Sequence, residues 1–150
     1  MNILKEINQT AFNSSIEKAL VNILYTYNWL RDKTQDNYKP YGIRMQHYNV
    51  LRILKGKYPE ATSPGEIKEV MLDKSPDLTR LLDKLVAMAW VERDICSANR
   101  RKIDVKITKK GLKILEELSA LQKKLYAEFN KNLSPAEAES LSDLLDKLRN

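Results

Sequence analysis

Residues 75–111 constrain the fold most, because within them the hydrophobic period changes from helical to extended. In SPDLTRLLDKLVAMA, Leu78, Leu81, Leu82 and Leu85 stand at i, i+3, i+4 and i+7, which makes one apolar stripe of a helix. Ser75 is a suitable N-cap, and Pro76 then falls where a missing N–H costs nothing. The opposite face carries Asp77, Arg80, Asp83 and Lys84. After Trp90 the period becomes two. Residues 91–95 and 102–107 alternate, as the strands of a hairpin would, and the six residues between them end in the pair Arg100-Arg101. A helix that shows charge, followed by a hairpin with a cationic tip, predicts a winged helix-turn-helix suited to duplex DNA.

Charge is concentrated in the same place. Between Arg93 and Lys110 there are seven basic residues (93, 100, 101, 102, 106, 109 and 110) against Asp94 and Asp104, a local +5 in a chain whose net charge is +6. Arg93 and Lys102 therefore join Arg100 and Arg101 as candidate phosphate contacts, while the helix supplies the base contacts. A lysine-rich solvated hairpin is the plain alternative for such a run, and the capped helix before it favours the first reading.

The 150 residues suit one domain with a real core, and four glycines and five prolines are too few for a loop-rich chain. No run of about eighteen apolar residues is present, so no membrane span is expected. The opening MNILKEINQTAFNSS lacks a secretory pattern, and Cys96 is the only cysteine, which points to a cytoplasmic protein without an intrachain disulfide. No second histidine or cysteine stands at ligand spacing from His47, and no nucleophile–base pair, phosphate loop or paired-carboxylate motif is visible. The expectation is a non-enzyme without cofactor or metal.

Elsewhere the pattern is helical. Ser15 to about Asp36 forms a long helix with Ile16, Leu20, Ile23, Leu24, Tyr27 and Leu30 on one side, and Pro40 breaks the chain after it. A second helix from about Ile43 to Lys57 would bury Met45, Tyr48, Leu51 and Leu54. Ser63-Pro64-Gly65-Glu66 is a capping box that starts a short helix ending near Leu72, with Ile67, Val70 and Met71 inward. Asp73-Lys74 then makes a tight connection to the helix at Ser75. Thr108 can cap a helix to about Lys131, with Leu112, Leu115, Leu118, Leu121, Leu125 and Phe129 inward. Ser134-Pro135-Ala136-Glu137 starts the last helix, with Ala138, Leu141, Leu144, Leu145 and Leu148 on one side. These terminal leucine faces exceed what a small middle module covers, so a second copy is expected against them.

SPDLTRLLDKL followed by VER, and then NRRKIDVKITKKG, resemble the recognition helix and the wing of the MarR family of bacterial winged-helix regulators. Arg100, Arg101, Thr108 and Gly111 match the family's D-R-R…L-T-x-x-G pattern, and the likeness covers nearly the whole chain. It implies a mainly α (α+β) homodimer: about 1–36 and 112–150 as dimerisation helices, and about 43–111 as the DNA-binding module. It also implies a ligand-responsive repressor on an inverted-repeat operator, with a small aromatic effector between dimer region and module. Three positions depart from the family. Asn99 replaces an aspartate, which loses a carboxylate partner for a wing arginine. Ala89 replaces the glycine that ends the recognition helix, at a cost on the order of 1 kcal/mol if the position is left-handed. Trp90 replaces a smaller aliphatic residue and should fill more space between wing and helix.

Recognition is expected from Asp77, Thr79, Arg80 and Lys84, with Ser75 near the helix start. Arg80 suits a bidentate guanine contact, with an ion pair to Asp77 or Asp83 as the alternative. Arg100 and Arg101 would reach the minor groove or its phosphates. For the effector the candidates are Tyr38, Tyr41 and His47, in a run of aromatic residues that could equally be core. Cys96 is a candidate redox thiol or an inert one. The rival function is a winged-helix module that binds protein or RNA, to which Asn99, Asp77 and Asp83 lend support.

Overall fold

The computed structural model describes residues 2–95, 99 and 102–150. The helices are α1 (Ile3–Glu6), α2 (Ser15–Tyr38), α3 (Met45–Lys57), α4 (Pro64–Val70), α5 (Leu78–Ala87), α6 (Lys109–Phe129) and α7 (Pro135–Arg149), with strands β1 (Val91–Ile95) and β2 (Ile103–Ile107) between α5 and α6. A single 3-10 turn, Lys39–Tyr41, follows α2.

Most helices begin where a side-chain oxygen can take a free backbone N–H. Ser14, Ser63, Thr108 and Ser134 each accept from the N–H three residues on. At Ser63 and Ser134 the reciprocal glutamate bond closes a capping box, as the sequence predicts. Glu66 accepts from the Ser63 N–H and from the Ser63 and Thr62 hydroxyls, and these bonds lower the pKa of its carboxyl to about 2.

α5 starts two residues later than the sequence predicts. Asp77, not Ser75, is its N-cap, and accepts from Thr79 N–H at 2.9 Å and Arg80 N–H at 3.4 Å. Ser75 is already engaged, because its N–H and hydroxyl both donate to Asp73, at 3.0 and 2.6 Å. The Asp73-Lys74 connection is accordingly a longer loop, residues 71–77. Three further boundaries differ. α1 carries no periodic signal and is absent from the sequence reading. α3 starts at Met45, because Gly42 takes a left-handed φ of 66° and Arg44 is the N-cap. Val70 is the last residue of α4 and points out, and Met71 takes the inward place.

β1 and β2 pair antiparallel from Val91↔Ile107 to Ile95↔Ile103, and Thr62 adds a two-bond bridge to Val105. Among the described residues of the two strands only Val91, Val105 and Ile107 are buried, and Ile95 and Ile103 are exposed. The core joins α3, α4, α5, the base of the hairpin and the first half of α6. All four stripe leucines of α5 lie in it, and Trp90 fills the corner between α5 and the hairpin. Gly111 lets α6 reach that corner: a Cβ there would lie 2.1 Å from the Trp90 carbonyl oxygen.

The outer helices are different. α7 has no buried residue, and Ile16, Leu20, Leu24, Tyr27 and Leu30 of α2 are exposed along the predicted stripe. Only the end of that stripe, Thr34 and Tyr38, is covered by the chain itself.

Candidate nucleic-acid interface

Polar side chains of α5 stand opposite its buried leucines. Arg80 is the freest of them: its side chain is 88% exposed, and its only ion pair among the described residues is a 3.5 Å contact to the exposed Asp77. Such a pair in water contributes at most about 1 kcal/mol and yields to a better partner. Asp77 itself is occupied by the helix N–H groups, and Thr79 is exposed beside it.

Two other cations are committed. Arg93, on β1, pairs with Asp83 of α5 at 2.8 Å and thereby braces the hairpin against the helix. Lys84 donates to the Gly42 carbonyl, across to the turn that joins α2 to α3. Lys102 is exposed just before β2, and its backbone N–H donates to the Asn99 carbonyl at 2.8 Å. Arg100, Arg101 and Cys96 lie outside the described residues. Ser75 is exposed and belongs to the loop before the helix.

That loop is held by residues that sequence reasoning missed. Lys68 of α4 donates to the Pro76 carbonyl at 2.7 Å, Gln46 of α3 donates to Asp73 at 3.3 Å, and Asn49 accepts from Leu72 N–H at 3.0 Å. Bonds from Ser75 and Gln46 hold the Asp73 carboxyl below its usual range. The local signal was an aspartate two residues before a serine, an Asx-turn pattern. The contacts from α3 and α4 have no local signal.

Behind α5 lies a cavity of about 470 Å3, walled by Lys39, Arg44, His47, Arg80 and Lys84 among others. His47 is buried, and its Nδ1 accepts from Arg44 N–H at 3.1 Å. Burial, and then the nearby Lys84 charge, push its pKa down to about 4. The other two effector candidates do not line this cavity. Tyr38 is wholly buried and stacks on Tyr48 at 5.2 Å, and its hydroxyl has no hydrogen-bond partner among the described residues. Tyr41 is half-buried and donates to Glu117 at 3.5 Å.

Among the described residues no group of three or more His, Cys, Asp or Glu is placed to hold a metal ion, and no helix is long and apolar enough to cross a membrane. No protein-family model matches the chain. The multiple antibiotic resistance protein MarR of Salmonella typhimurium is 31% identical over 139 residues, which span 91% of this chain and 94% of that protein. The protein of the same name from Escherichia coli is 32% identical over the same shares. Among solved structures, wild-type MarR from E. coli in its apo form superposes with a TM-score of 0.65 at 31% identity, over 85% of this chain and 93% of that one. A mutant E. coli MarR complexed with operator DNA gives a TM-score of 0.73 at 29% identity, over 92% and 99%. Fold, motif order and identity over nearly the whole length agree: the chain belongs to the MarR family.

Proposed function

We propose that this chain is a dimeric, sequence-specific DNA-binding regulator of transcription, acting as a repressor on an inverted-repeat operator. The observation that carries this reading is α5, which is seated in the core by four leucines and presents Thr79 and a nearly unrestrained Arg80 outward. A relative at 29% identity is known in complex with operator DNA. Of the three residues that lent support to a protein- or RNA-binding module, Asp77 and Asp83 are explained as a helix cap and a brace for Arg93, and Asn99 stays with the rival reading. In this reading Arg80 reads a base edge, Arg93 positions the wing, and Lys102, with Arg100 and Arg101, meets phosphate or the minor groove.

The dimer in this proposal forms from about 1–36 and 112–150, because the exposed stripe of α2 and the uncovered α7 are apolar faces without a partner in one chain. The effector would be a small aromatic anion in the cavity behind α5. Its walls are cationic, and two of them, Arg80 and Lys84, also belong to the recognition helix. No reaction is assigned to the chain.

Selection of bound sites from random duplexes, followed by footprinting, tests the reading. One enriched inverted repeat is expected, with half-sites about 10–10.5 base pairs apart. Arg80→Ala should cost about 1–3 kcal/mol on that site and relax preference at one position per half-site. Equal loss on selected and random DNA would make Arg80 a phosphate contact. Absence of any enriched repeat would remove operator recognition.

A further inference from the structure

We propose that Lys68 of α4, with Gln46 and Asn49 of α3, positions the recognition helix for base reading without touching DNA itself. The proposal rests on the operator reading above and adds the residues that set where Arg80 meets the groove. α5 is seated unevenly. Leu82 and Leu85 are 1% and 0% exposed, whereas Leu78 and Leu81, in the first turn, are 8% and 9%. The turn that carries Thr79 and Arg80 is thus the shallower end of the helix. Apolar burial is non-directional, so four leucines hold α5 to the core without fixing the pitch of that end. Hydrogen bonds supply the direction that burial lacks.

Those bonds act on the loop 71–77 and come from two other helices. The Lys68 ammonium donates to the Pro76 carbonyl at 2.7 Å, immediately before the N-cap Asp77. Gln46 donates to the Asp73 carboxylate at 3.3 Å, and that carboxylate also accepts from the Ser75 N–H and hydroxyl. Asn49 accepts from Leu72 N–H at 3.0 Å. The loop is therefore fixed at Leu72, Asp73 and Pro76, and Asp77 follows directly with its bonds to the Thr79 and Arg80 N–H groups. Pro76 adds stiffness, because its ring locks its own φ. A shift of its carbonyl is carried into the first turn of α5, and Arg80 moves with it.

In sequence Lys68 has the look of one more phosphate contact. In the fold its side chain is half-buried and its ammonium is engaged by the Pro76 carbonyl. After the bonds from Ser75 and Gln46, the Lys68 charge also helps to hold the Asp73 carboxyl below its usual range, so the ammonium lies near that carboxylate. Its work is intramolecular.

Anisotropy titrations of the full chain with the duplex enriched by selection and with a random duplex, over a salt series, test the assignment. Lys68→Met keeps the aliphatic stem and removes the donor. It should weaken binding to the selected duplex about 3–30-fold, within what one well-placed base contact contributes. Affinity for the random duplex and the slope of affinity against salt should stay parental, because no phosphate contact is lost. Lys68→Arg, which can still donate to the Pro76 carbonyl, should restore most of the loss. Gln46→Leu should act in the same direction, and it decides the matter if Lys68→Met unfolds. Equal weakening on both duplexes, with a salt slope lower by about one unit, would make Lys68 a phosphate contact and overturn the proposal. So would parental affinity for the selected duplex in Lys68→Met, or a Lys68→Arg variant as weak as Lys68→Met. A parent without a preferred repeat would overturn the operator reading and this one with it, whereas a selective parent beside an unaffected variant overturns this one alone.

Discussion

Replacing Ala89 by glycine should stabilise the protein, and the structure gives the size of the effect. α5 ends in a paired pattern: Trp90 N–H donates to the Leu85 carbonyl at 3.0 Å, and Ala89 N–H to the Val86 carbonyl at 2.8 Å. That arrangement needs a left-handed residue between helix and strand, and Ala89 takes it with a φ of 59°. An L-residue bears about 1–2 kcal/mol of steric cost there. Glycine removes that cost but gains freedom in the unfolded chain worth about 0.4–1 kcal/mol. The alanine methyl is exposed, so little packing is lost. The net gain is about 0.5–1 kcal/mol, and at this chain length that raises Tm by about 1–4 °C. Thermal and urea unfolding at one fixed protein concentration would measure it, since self-association makes Tm depend on concentration. Ala87→Gly, at the last residue of α5, is the control and should lose up to about 1 kcal/mol. If Ala89→Gly unfolded at or below the parent's midpoint, the strain argument would be wrong.

Two further outcomes follow from the same core. Gly111→Ala places a methyl 2.1 Å from the Trp90 carbonyl oxygen, backbone against backbone, and should cost at least about 1–3 kcal/mol in urea unfolding; an unchanged midpoint would show that α6 shifts freely. His47 stays neutral in the fold down to about 4, whereas its ordinary value is 6.5, so the unfolded chain takes up the proton first. Stability should therefore fall as pH drops through that window, and His47→Gln should flatten the slope. Parallel declines for parent and variant would place the effect elsewhere.

Local pattern determined much of this protein. A stripe of leucines every three or four residues and an alternation of two are properties of a few turns of chain. They located α2, α5, α6, α7 and both strands within a few residues. The capping boxes at Ser63 and Ser134 are equally local, because donor and acceptor sit three residues apart. The family resemblance flagged position 89, and the left-handed φ explains the family's glycine there.

Only tertiary structure decided between local options of equal merit. Ser75 and Asp77 are both good caps. Asp73 captures Ser75, while Gln46 and Lys68, from α3 and α4, hold the loop in the shape that leaves Asp77 at the helix end. Arg80 and Arg93 look alike in sequence. Asp83 lies within reach of Arg93 because the hairpin folds back on α5, so one arginine braces and the other stays exposed. Ile95 and Ile103 follow the strand alternation yet remain in solvent, because period sets the side of a strand and not how far the core extends. The cavity behind α5 likewise joins segments distant in sequence, so its lining depends on how helices cross, which no local period encodes.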